Sequence, residues 1–101
     1  MKAKILFLSI FSFSVLSFAG NCVEPMSDTE HKALIKEVSE LVEYKVQKTR
    51  ELTAGKCLSA DQMIEFLGLV ESREDKILMF DILANKLIKG ADYAKVKNTL
   101  N

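Results

Sequence analysis

Two serines 32 residues apart open the same local structure, and that repetition constrains this chain more than any other feature. Ser27-Asp28-Thr29-Glu30 and Ser59-Ala60-Asp61-Gln62 both fit a capping box. In such a box the serine oxygen accepts from the backbone N–H three residues on, while the Glu or Gln reaches back to the N–H of the cap. Behind the first box, Leu34, Ile35, Val38, Leu41 and Val42 recur at helical spacing and predict a helix over 28–41. Behind the second, Met63, Ile64, Phe66, Leu67, Leu69 and Val70 predict a helix over 60–71. Each is followed by another helical stretch. The first, over 43–54, has a thin stripe of Val46, Thr49 and Leu52, with Gly55 as a left-handed stop. The second, over 73–89, starts at a Ser72 cap with Glu74 and Asp75 in its first turn, where the helix dipole favours acids. Apolar residues surround most of that fourth helix, which predicts a central, largely buried element closed by Gly90. Asp92 caps a short fifth helix over 93–99 that buries Tyr93, Val96 and Leu100.

The two helix pairs also match in their interiors. Leu34, Ile35 and Val38 correspond to Phe66, Leu67 and Val70, and with a shift of one, Lys45-Val46 and Leu52 correspond to Lys76-Ile77 and Leu83. A unit of about 32 residues is near the period of helical-repeat proteins. No alternating strand pattern or hairpin dipeptide interrupts it. The expected fold is therefore all-α: two stacked helical hairpins, four main helices plus a short C-terminal one, in a single domain over 27–101.

The segment before that domain sets its compartment. Lys2 and Lys4 precede an apolar run from Ile5 to Phe18, and Ser17-Phe18-Ala19 places small residues three and one positions before a cut. Residues 1–19 read as a signal peptide. The run is about 14 residues, roughly 21 Å as a helix, too short for a membrane core near 30 Å. Without it, 12 basic side chains face 14 acidic ones, a net charge of −2 that does not suit a nucleic-acid binder. The mature chain is expected to be exported, to the periplasm or beyond, with no membrane span. Lipid anchoring at Cys22 is disfavoured, because a small residue should directly precede the cysteine and Asn21 stands there.

Export gives the two cysteines a meaning. Cys22, in an extended lead-in over 20–26 that contains Pro25, and Cys57, between the hairpins, are expected to pair in an oxidising compartment. The alternatives ask for more: a redox pair is usually close in sequence, and a cysteine nucleophile needs a histidine base. The disulfide would staple the lead-in to the corner between hairpins.

The blocks Cys22-x-x-Pro25-Met26-Ser27, Lys45-Val46, Cys57-Leu58-Ser59-x-x-Gln62 and Asp92-Tyr93-x-x-Val96 together resemble the domain of unknown function 4476, found mostly in exported bacterial proteins. The resemblance covers about 22–100 and implies a helical module; it supplies no catalytic residues. The sequence departs from the family pattern in two places. His31 stands where an aromatic usually follows the first cap, and Glu71-Ser72-Arg73-Glu74-Asp75-Lys76-Ile77 lacks the aromatics of the corresponding step.

Chemistry is sparse. The lone histidine, His31, falls in the first turn of helix one and is expected at the surface. Glu71, Glu74 and Asp75 lack the spaced oxygens and glycine of a calcium loop. Asp61 and Glu65, four apart, could face one another, yet paired carboxylates need a cleft that raises one pKa. No phosphate loop, nucleophile elbow or zinc spacing is present. Lys86, Lys89, Lys95 and Lys97 read as a solvated face, and Met26, Met63 and Met79 as core filling. No catalytic, metal or cofactor-binding residues are expected. The sequence points first to a non-catalytic module that binds an unidentified protein or envelope component through a groove between hairpins. An immunity or inhibitor-type protein, a small apolar-ligand carrier and an unrecognised hydrolase rank behind it.

Overall fold

The computed structural model describes residues 22–100; the signal peptide expected over 1–19, with residues 20, 21 and 101, lies outside them. Five helices follow in order: α1 (Asp28–Ser39), α2 (Lys45–Leu52), α3 (Ala60–Leu67), α4 (Arg73–Leu83) and α5 (Tyr93–Asn98), with one 3-10 turn, Ala84–Lys86, continuing α4. Helix α1 packs on α2 and α3 on α4, while α1 also meets α3 and α2 meets α4. These are two stacked hairpins. Helix α5 returns onto α3.

Four of the five helices, all but α2, start where a side chain satisfies an end N–H that the helix itself leaves unpaired. Ser59 Oγ accepts from Gln62 N–H at 3.1 Å and Ser59 N–H donates to Gln62 Oε1 at 3.0 Å, a complete reciprocal box. Ser72 Oγ accepts from Asp75 N–H, and Asp92 Oδ1 from Lys95 N–H, both at 3.0 Å. The box at α1 is only half made. Ser27 Oγ accepts from Glu30 N–H at 3.1 Å, but the Glu30 carboxylate pairs with Lys56 across the disulfide corner instead of returning to Ser27. An ion pair between neighbouring segments wins over the local bond.

The core is unevenly divided. Leu58, Met63, Phe66, Leu67, Met79, Leu83 and Val96 are closed to solvent, joined by Met26, Val70 and Phe80. The first hairpin lends mainly half-buried side chains, Leu34, Ile35 and Val46. Thr49 and Thr53, both fully buried, occupy the inner side of α2 and its cap. Thr53 Oγ1 donates to the Thr49 carbonyl at 2.7 Å, whereas Thr49 Oγ1 has no hydrogen-bond partner among the described residues.

The staple is present. Cys22 and Cys57 form a disulfide with Cα atoms 5.6 Å apart, closing a sequence separation of 35. Around it, backbone groups of three extended stretches bind one another. Met26 N–H donates to Cys57 C=O (2.9 Å) and Lys89 N–H to Cys22 C=O (3.0 Å); Leu58 receives Ile88 N–H (3.0 Å) and gives its own N–H to Lys86 C=O (2.9 Å). Gln62 Nε2 adds a bond to Met26 C=O at 2.8 Å.

That corner corrects the expected fourth helix. It ends at Leu83 rather than running to 89, because Lys86 to Ile88 are drawn into a single parallel bridge between Leu58 and Leu87. Gly90 therefore closes no helix. It takes φ +84° in a separate turn closed by Ala91 N–H on Ile88 C=O, just as Gly55 takes φ +74° in a turn closed by Lys56 N–H on Thr53 C=O. Nor is the fourth helix buried all round: Ile77 and Leu78 are exposed on the outer side of α4, where no third hairpin stacks among the described residues. Helix one stops two residues early, at Ser39, and Val42 leaves the expected core stripe to stand 92 % exposed.

Two outcomes follow. Replacing Cys22 and Cys57 by serine is expected to lower unfolding free energy by about 3–4 kcal/mol, the loop-entropy value for this closure, measured by denaturant titration of oxidised protein against the variant. Thr49→Val removes an unpaired buried hydroxyl at nearly constant shape and is expected to stabilise by about 1 kcal/mol in the same titration.

Candidate functional site

The ends of the two hairpins lie side by side, and a groove opens between them. Helix α1 ends at Ser39, and the chain turns through residues 40–44 into α2. The last residue of that turn, Tyr44, has φ 63° and ψ 28°, the left-handed region that side chains with a Cβ enter at a cost of roughly 1 kcal/mol. Its side chain makes no capping bond and is 73 % exposed. In the second hairpin, residues 68–72 link α3 to α4.

Two lysines from the first turns of the second helices fasten these tips, one within a hairpin and one across the two. Helix α3 leaves carbonyls unpaired at its C-terminus, the negative end of its dipole. Lys76 Nζ donates to Leu67 C=O at 3.0 Å and Val70 C=O at 2.7 Å, and Lys45 Nζ donates to Leu69 C=O at 3.1 Å. Lys76 thus closes its own hairpin, while Lys45 reaches from the first hairpin to the second. These are the paired lysines of the sequence repeat.

The groove beside them has a volume of about 420 Å³. Val42, Glu43, Tyr44, Lys45 and Val46 form one wall; Leu69, Val70, Glu71, Ser72 and Asp75 form the other. A second depression of about 350 Å³ runs along Leu41, Gln47, Lys48 and Glu51. Tyr44 and Glu43 line both. A third, of about 330 Å³, lies at the disulfide corner between Val23–Met26 and Gly55–Cys57.

His31 is a correction to the surface position expected of it. It is 4 % exposed, clasped between α1 and α3. Its Nε2 lies 3.2 Å from Gln62 C=O, its Nδ1 3.3 Å from Glu65 Oε1, and its ring meets Phe66 edge-on at 5.3 Å. The signal was available: position 31 extends the buried stripe of Leu34, Ile35 and Val38 by one turn. Polarity hid it.

The remaining titratable groups are dispersed. Asp61 and Glu65 do not face one another; Asp61 pairs with Lys95 at 2.9 Å and Glu65 turns to His31. The bond to Asp61 holds the Lys95 ammonium above its ordinary pKa, as the bond to Glu40 does for Lys36. Burial pushes the Lys86 amine down. Ser27, Ser59 and Ser72 use their hydroxyls as helix caps, and Met26, Met63 and Met79 are buried. Among the described residues no three His, Cys, Asp or Glu side chains converge as a metal site, and no helix is long and apolar enough to cross a membrane.

His31→Ala removes the ring from the α1–α3 interface and is expected to destabilise by about 2–3 kcal/mol. His31→Phe retains the ring volume and should lose less. Thermal unfolding followed by circular dichroism orders the two variants; equal losses would mean that the ring's packing on Phe66 contributes nothing. No family model, curated protein or solved structure matches this chain.

Proposed function

We propose that this chain is an exported, non-catalytic module that binds a protein or envelope component through the groove between its hairpin tips. The observation that carries this reading is Tyr44: a large aromatic side chain, well exposed, on a left-handed backbone position, lining two grooves. Glycine would occupy that backbone conformation without strain, so the site keeps a contact group at some cost to the fold. Tyrosine suits contact because it offers a large rigid surface with few rotamers to freeze.

Export is supported by the leader-like composition of residues 1–19 and by the pairing of both cysteines. The same pairing opposes a lipid anchor, since Cys22 Sγ is already bonded to Cys57 and a thioether there would exclude that bond. A non-catalytic role is supported by the engagement of the chain's one histidine in the α1–α3 interface and of the three capping serines in helix ends.

Affinity capture from envelope extracts with wild-type protein and with Tyr44→Gly provides the test. A component retained by the wild type and lost with the variant is expected. Identical capture by both proteins would overturn the assignment of the tips as the binding surface.

A further inference from the structure

We propose that the occupant of the groove between the hairpin tips is a peptide segment of a partner protein carrying lysine or arginine beside an apolar residue. This deepens the binding reading above and rests on it. The argument begins with charge. The lining carries three carboxylates, Glu43, Glu71 and Asp75, against one cation, Lys45. Lys45 is already committed, its ammonium donating to Leu69 C=O at 3.1 Å in the link after α3. Among the described residues none of the three carboxylates faces a lysine, arginine or histidine within 4.0 Å; Glu24, Asp28, Glu74, Asp81 and Asp92 are likewise unpaired, but only the groove gathers three such acids on one lining. Lysines at the tips thus serve backbone carbonyls, and the acids on the groove are exposed.

The apolar part of the lining matches the other half of such a segment. Val42 is 92 % exposed and Tyr44 73 %, while Val46 and Leu69, on opposite walls, are half-buried. A lysine or arginine lays its aliphatic stem along apolar surface and keeps its charged head at a polar rim. Tyr44 adds an aromatic face to which a guanidinium or ammonium is attracted. The volume of about 420 Å³ is within the range of sites that enclose a small ligand, ample for one long side chain and its neighbour. An acidic or phosphorylated segment would meet uncompensated carboxylates on both walls.

Selection from a phage-displayed random peptide library on the immobilised oxidised protein tests the proposal, followed by fluorescence anisotropy with synthetic peptides from the selected pool. The pool is expected to be rich in lysine or arginine next to apolar residues, and binding should weaken as salt is raised. Tyr44→Gly and the double variant Glu71→Gln/Asp75→Asn should each weaken binding about tenfold. Tyr44→Gly should keep its helical signal and an equal or higher unfolding midpoint, which separates lost contact from lost fold. Uncharged or acidic peptides that bind and are lost with Tyr44→Gly would overturn the cationic occupant while leaving the groove as the binding surface. Peptides indifferent to both variants, or no enrichment, would overturn the groove itself.

Discussion

Leu58 sits where three stretches of chain meet, and the rest of the fold is arranged around its backbone. Its N–H and C=O are both bound to the 86–88 segment, and its neighbour Cys57 is tied to the lead-in by a covalent bond and a hydrogen bond. Burying extended backbone is tolerable only when such groups are paired. The pairing fixes where α2 must have ended, where α3 begins, and why α4 cannot continue past Leu83. Gln62 couples this corner to α3, since one side chain completes the α3 cap and also binds the Met26 carbonyl.

From that corner the structure depends on satisfying short helices. Helix α3 has eight residues, well below the length at which an isolated helix holds together in water. It persists because its N-terminal groups are met by Ser59 and Gln62, its last carbonyl, Leu67, by Lys76, the link just beyond it by Lys45 and Lys76, and its apolar side by the core. The lysines also explain the charge of the groove. Their ammoniums are spent on backbone carbonyls and not on Glu43, Glu71 or Asp75, so the groove keeps an excess of negative charge.

The sequence was most legible where the chemistry is local. Ser27, Ser59, Ser72 and Asp92 could be placed at helix starts because a cap and its N–H lie three residues apart. The pairing of Cys22 with Cys57 followed from there being only two cysteines. What escaped was decided at a distance. His31 lies on the buried stripe, but its burial depends on Phe66 and Gln62 from a helix 31 residues on. Leu87 and Ile88 carry helical periodicity, yet the pairing available at Leu58 draws them into extended backbone. Val42 fits helix one by spacing and is lost from it because the chain turns after Ser39. The groove was unreadable for the same reason: its two walls come from different hairpins.

The disulfide and the backbone bonds around it all lie at one end of the helix stack, and the far end has no covalent tie. Between them the stack is fastened by side-chain packing, the His31 clasp and, at the tips, the Lys45 ammonium. Resistance to local opening should therefore decline along the helices, from the corner outward. The tips can part by small amounts while the corner keeps its geometry, which lets one end of so small a protein adjust to what it meets without loosening the other.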